Sequence, residues 1–147
     1  MWKNRYTALL SAALFALSAS VPAEAAGRET YSEETLRLTA KAVAAECPDA
    51  SFGVQIALAA VIFNRMEDPR FGDTAAQVIW GADFLTCTTT GRIALPVGEE
   101  DFAKALSAVR YAAGGMDPTD GAVWYAGGDT GRRSSRVCYG DGGYLFY

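Results

Sequence analysis

Ser51-Phe52-Gly53-Val54-Gln55-Ile56-Ala57-Leu58-Ala59-Ala60-Val61-Ile62-Phe63-Asn64-Arg65-Met66 is the stretch on which the fold turns. Ser51 is a strong helix N-cap residue. From Ile56 to Phe63 every side of the resulting helix is apolar. Such a helix has no face to offer water, so it is predicted to be central and buried. It runs about 15 residues to near Met66, and Asp68-Pro69 closes it, because the residue before proline avoids helical geometry.

Reading outward, Thr30 and Ser32 are both candidate caps for an earlier helix that ends near Glu46, at Cys47-Pro48. Thr74 to Trp80 reads as a short third helix. Phe84 to Ile93 carries β-formers around Thr90-Gly91 and is expected to form a small hairpin or irregular strand pair. A fourth long helix follows Pro96-Val97-Gly98. Glu99, Glu100 and Asp101 fill its positive end, Phe102, Leu106, Val109 and Ala113 recur at helical spacing, and Gly114-Gly115 stops it. Ala122 to Ala126 is a candidate strand, a Gly- and Arg-rich loop runs to Arg136, and Val137 to Tyr139 with Tyr144 to Tyr147 could form a final hairpin. The order is an α+β pattern: a helical N-terminal part, then a small antiparallel β part, with room for a cleft between them that would suit an extended polymer.

The first 25 residues read as a secretory signal: Lys3 and Arg5, then the apolar run Ala8 to Leu17, then the small-x-small site Ala23-Glu24-Ala25. An uncleaved anchor over Tyr6 to Ala23 is the alternative, weakened by Ser11, Ser18, Ser20 and Pro22. With the signal removed, residues 26–147 form one expected domain outside the cytosol, in the periplasm, cell wall or spore envelope, with no stable membrane insertion. The net charge of −4 offers no basic footprint for nucleic acid. The chain has no histidine, which removes Ser-His-Asp and Cys-His chemistry and any His-ligated metal. No metal or cofactor is expected, and carboxylates are the default catalytic groups. Among Cys47, Cys87 and Cys138, a Cys87–Cys138 disulfide is preferred, with three buried free thiols as the alternative.

The block Ala42-Val43-Ala44-Ala45-Glu46, followed by Gln55 to Arg65, resembles the signature of the spore cortex-lytic (SleB-type) cell-wall hydrolases. The likeness continues through Asp68-Pro69-Arg70-Phe71, Thr74, Val78-Ile79, Asp117-Pro118-Thr119, Gly121-Ala122-Val123-Trp124-Tyr125 and Leu145-Phe146-Tyr147. The chain departs from the family at Cys47-Pro48-Asp49-Ala50, where members carry a basic, glycine-containing loop, and at Tyr144, where members often have histidine. The resemblance implies a lysozyme-like, two-lobed catalytic domain that acts on peptidoglycan glycan strands as a lytic transglycosylase or glycosidase. It also implies that Glu46 is the catalytic residue.

A lytic transglycosylase needs only one carboxyl. It protonates the leaving oxygen and then takes a proton from the sugar's own C6 hydroxyl, whereas hydrolases usually pair two carboxylates. Such an acid must start neutral, which an apolar setting favours. On a helical wheel Glu46 shares its face with Thr35, Thr39, Ala42 and Val43, with no basic group among them. Position alone favours a solvated glutamate in a last helical turn, and the family resemblance reverses that preference. Gln55 and Asn64 project from nearly opposite faces of the central helix, so at most one can reach the cleft, and Gln55 is preferred. Phe84, Trp124 and Tyr125 are candidate groove aromatics that could equally be core. Tyr125 is chosen because its hydroxyl could meet a sugar N-acetyl group or Glu46. Arg132, Arg133 and Arg136 could meet acidic peptide stems or form a solvated loop. A peptidoglycan glycoside hydrolase, or a non-catalytic wall-binding or spore protein with the same fold, remain the alternatives.

Overall fold

The computed structural model describes residues 30–127, 139–141 and 143–147. The expected signal segment, the arginine-rich loop and Cys138 lie outside them.

Helix α1 (Glu33–Glu46) starts at Ser32, whose side chain accepts the amide of Thr35; Thr30 does not cap it. Helix α2 (Phe52–Glu67) starts at Ser51, which accepts the amide of Val54, and it is buried from Val54 through Arg65, as its all-round apolar middle requires. Helix α3 (Ala75–Ile79) is set by a capping box between Thr74 and Gln77. Helix α5 (Glu99–Ala113) packs against both α1 and α2 through Ala105, Ala108, Val109 and Ala112, all fully buried. Small residues on this face let three helices approach closely around the apolar stripe of α2.

The expected hairpin over Phe84 to Ile93 is absent. Its place is taken by a single helical turn, α4 (Thr86–Thr89), and a 3-10 turn at Arg92–Ala94. The threonines that suggested β structure instead turn their hydroxyls back onto the chain: Thr88 Oγ1 donates to Leu85 O, and both Thr89 and Thr90 Oγ1 donate to Thr86 O. Gly91 then takes a left-handed φ of 74°, which a branched residue would resist. Side chain-to-backbone bonding of this kind competes directly with a ladder.

The β part is a three-stranded antiparallel sheet, β1 (Tyr125–Ala126), β2 (Tyr139–Asp141) and β3 (Tyr144–Phe146), in the order β1-β3-β2. Tyr125 pairs with Phe146 and Ala126 with Leu145, and two further bonds between Trp124 and Tyr147 extend the edge. On the other side Tyr139 pairs with Phe146 and Asp141 with Tyr144. Phe146 is fully buried and anchors the sheet to the helical core. The helical part followed by a small antiparallel sheet is the α+β arrangement expected. No helix among the described residues is long and apolar enough to cross a membrane.

Candidate active site

Glu46 ends α1, where the negative pole of the helix dipole disfavours a carboxylate and no basic residue occupies the last turn. Its side chain is nonetheless buried, with only 3% of its surface exposed. What receives it is the opening turn of α4. Thr86 N donates to Oε1 at 3.1 Å and Cys87 N to Oε2 at 2.6 Å. The hydroxyl of Tyr125, from β1, reaches Oε1 at 3.3 Å, and Arg92 Nη2 stands 4.0 Å from Oε2. Among the described residues every group within reach of the two oxygens is thus a donor. Of the wheel face read from the sequence, Thr39, Ala42 and Val43 are buried while Thr35 is half-buried, and a basic group, Arg92, reaches Glu46 from a different element.

Three ties fix the end of α1. Gln55 Nε2 donates to Cys47 O at 3.2 Å, Lys104 Nζ donates to Ala50 O at 2.9 Å, and Ser51 Oγ donates to Asp141 Oδ2 at 2.6 Å, joining the start of α2 to the sheet. This corrects the expectation that Gln55 faces the cleft. It is fully buried and holds the backbone one residue past Glu46, because its position on α2 aims it at the α1–α2 turn rather than at solvent. Asn64 is also buried, and its Nδ2 donates to Ala122 O and Asp117 Oδ2, bracing the segment that leads to β1.

Phe84 is not a groove wall. It is buried beneath the guanidinium of Arg65, whose Cζ lies 3.6 Å from the ring centroid. Phe71 and Trp124 stack on the same guanidinium, and Arg65 Nε donates to Val123 O at 2.6 Å. Burial pulls the Arg65 pKa down to about 10. Trp124 therefore serves the Arg65 cluster while Tyr125 turns to Glu46, the opposite-face alternation that a strand imposes.

Tyr125 stacks on Tyr144, 6.1 Å between centroids at 15°, and burial with the nearby Glu46 pushes its phenol far above the ordinary value. Burial, then the charge of Glu46, likewise pushes the thiols of Cys47 and Cys87 up to about 12. Both cysteines are buried and free among the described residues, and Cys138, the expected partner of Cys87, lies outside them.

Residue-by-residue reading missed five contributors to this site. The amides of Thr86 and Cys87 carry no side-chain signature. Arg92 was masked by the hairpin reading. Gly127 is required because a Cβ there would lie 2.3 Å from the Tyr125 hydroxyl. Tyr144 was noticed only as a departure from the family pattern.

Comparison with known proteins places this architecture. Residues 50–139 match the model of the Cell Wall Hydrolase family, a match that begins just after Glu46. Spore cortex-lytic enzymes of Halalkalibacterium halodurans and Bacillus subtilis are 36% and 35% identical over 100 residues, covering 68% of this chain but 29% and 32% of theirs. The chain thus spans about a third of the length of these curated relatives. The catalytic domain of the Bacillus cereus SleB protein aligns with a TM-score of 0.68 at 32% identity, covering 80% of this chain and 92% of that domain. The catalytic domain of the germination-specific lytic transglycosylase SleB from Bacillus anthracis aligns with a TM-score of 0.65 at 31% identity, covering 97% of that domain. The chain belongs to the Cell Wall Hydrolase family.

Proposed function

We propose that this chain cleaves the MurNAc–GlcNAc bond of peptidoglycan as a lytic transglycosylase, outside the cytoplasmic membrane, with Glu46 as its single acid/base. The observation that carries the reading is the asymmetric hold on a buried carboxyl. Oε2 takes the short bond from Cys87 N and faces Arg92, whereas Oε1 takes the longer contacts from Thr86 N and Tyr125. The more firmly held Oε2 stays engaged with the protein, and the more loosely held Oε1 is the oxygen assigned to exchange the proton with substrate.

Tyr125 suits this exchange. Its phenol stays protonated at working pH, so its oxygen can accept from a neutral Glu46 and its hydrogen can donate to the anion. Glu46 protonates the glycosidic oxygen as the bond breaks. The sugar's C6 hydroxyl attacks the anomeric carbon, and Glu46 takes back that hydroxyl's proton, which closes the 1,6-anhydro ring. Among the described residues all the groups that reach Glu46 are donors, which suits a mechanism without a second carboxylate. The two raised thiols are poor nucleophiles, which argues against cysteine chemistry. The Bacillus anthracis domain with which this fold aligns is named as a lytic transglycosylase, which supports the same reading.

Mass spectrometry of digested sacculi tests this. Anhydro-muropeptides are expected from the wild-type chain, and Glu46→Gln should lower their release by about 10²–10⁴-fold, the usual worth of a general acid/base. Reducing ends without anhydro sugar would replace this mechanism with hydrolysis. Full activity in a folded Glu46→Gln chain would remove Glu46 from the chemistry.

A further inference from the structure

Two cavities adjoin along one side of α1. One, of 330 Å³, is lined by Arg37, Lys41 and Phe102 together with Leu95, Pro96 and Val97. The other, of 210 Å³, is lined by Ala44, Ala45, Pro48, Arg92 and Asp101 and shares the same Leu95-Pro96-Val97 strap. Positions 37, 41, 44 and 45 follow one stripe of α1, about 12 Å at 1.5 Å per residue, and Pro48 lies just past its C-cap, so the two cavities form one groove along the helix and its closing turn. Its far end carries Arg37 and Lys41. Its near end is Arg92, 4.0 Å from Glu46.

The charge of this groove runs against that of the chain, which is net −4. Three cations line it against one acid, Asp101. Lys41 has no hydrogen-bond or ion-pair partner among the described residues, although its side chain is partly buried. Among the described residues Arg37 makes only an exposed pair with Glu33 at 3.9 Å and lies over Phe102 at 5.2 Å. The strap between these cations is apolar, and Leu95 is well exposed.

We propose that this groove binds the acidic peptide stem borne by the glycan strand, with its carboxylates on Arg92, Lys41 and Arg37 and the free amino group of its diamino acid on Asp101. The assignment rests on the reading of the chain as a peptidoglycan-cleaving enzyme. A stem of four extended residues spans about 13 Å at 3.3 Å per residue, which fits the groove. A sugar seated at Glu46 starts its stem at the Arg92 end. The groove thus converts stem carboxylates into a register for the scissile bond, since a bound stem fixes which glycosidic oxygen meets Oε1.

Two measurements on the full chain test this. The first is titration of the soluble peptide L-Ala-γ-D-Glu-diaminopimelate, followed by NMR or calorimetry. Saturable binding is expected, weakened at least fivefold by Lys41→Glu and by raising NaCl from about 50 to 500 mM, while Lys41→Arg retains it. No saturable binding, or binding indifferent to both changes, overturns the proposal, as does a glycerol-phosphate oligomer that binds where the peptide does not. The second compares cleavage of intact glycan with glycan stripped of its stems by an amidase. The wild-type preference for stem-bearing strands should exceed fivefold and should fall towards one in Lys41→Glu. Equal wild-type rates on both overturn the proposal. A chain that cleaves neither substrate yet binds the peptide as described would sink the catalytic reading alone.

Discussion

The hydroxyl of Tyr125 lies 3.3 Å from Oε1 of Glu46, bridging the end of α1 and the first residue of the sheet across 79 positions of sequence. The rest of the Tyr125 ring packs on Tyr144 and on Phe146, at centroid distances of 6.1 and 5.5 Å. Packing and hydrogen bonding are therefore separable in one substitution. Tyr125→Phe keeps both ring contacts and should leave the melting temperature within a few degrees of wild type. A hydrogen bond to a charged group is worth about 1.5–3 kcal/mol, so kcat is expected to fall roughly 10- to 100-fold with KM little changed. A kcat within twofold of wild type would take the hydroxyl out of the proton path.

Gly127 bears on the same contact from the other side. A Cβ there would stand 2.3 Å from the Tyr125 oxygen, closer than real Cβ atoms come, and 3.0 Å from Cζ. Gly127→Ala should push the hydroxyl off Oε1 and lower kcat by a factor similar to Tyr125→Phe. Because both changes remove one contact, the double variant should lose little more than either single one. Additive losses would mean that Gly127 acts through some other part of the fold.

How far such relationships were legible in the sequence follows from what encodes them. Ser32 and Ser51 announced their helices because capping is local chemistry between residues two or three apart. The all-apolar middle of α2 announced its burial for the same reason. The segment from Thr86 to Thr90 was misread because threonine serves a strand face or a back-bonded helical turn equally well, and only the distant Glu46 decides between them by accepting the amides of Thr86 and Cys87. Glu46 itself was found through family resemblance and not through position. The aim of Gln55 at Cys47 O and the sandwich of Arg65 between Phe84, Phe71 and Trp124 depend on how elements pack, which periodicity does not report.

That dependence of α4 on Glu46 has an energetic consequence. The carboxyl is the acceptor for two amides, one of them on the fully buried Cys87. Glu46→Ala strands both donors and should destabilise the chain by about 2–4 kcal/mol, since an unmet buried donor costs about 1–3 kcal/mol. Glu46→Gln restores one acceptor but turns an NH₂ towards the other amide, so it should cost about half as much. Urea unfolding gives the totals, and faster hydrogen exchange at the Cys87 amide locates the loss. A Glu46→Ala chain as stable as wild type would mean that α4 is held by its own threonines and not by the acid.

The thiols that flank the site set its behaviour in alkali. Burial, with the charge of Glu46 next, raises Cys47 and Cys87 from the ordinary 9.0 to about 12. A raised folded-state value means that the native protein holds its thiol protons while the unfolded chain gives them up. The stabilisation from the neutral buried thiols is complete below pH 9 and is lost as pH climbs from 9 to about 12, at a slope of up to about 1.4 kcal/mol per pH unit for each thiol. Tyr125, raised for the same reasons, adds to the loss at the upper end. Urea midpoints should therefore be level from pH 7 to 9 and fall steeply above it, and the Cys47→Ala, Cys87→Ala double variant should fall less steeply. In a Cys138→Ser background, the two remaining thiols should react with a disulfide reagent at pH 8 only when the chain is unfolded. Rapid labelling of the native chain would show that the wall between Glu46 and solvent is open at α4, and the buried acid with it.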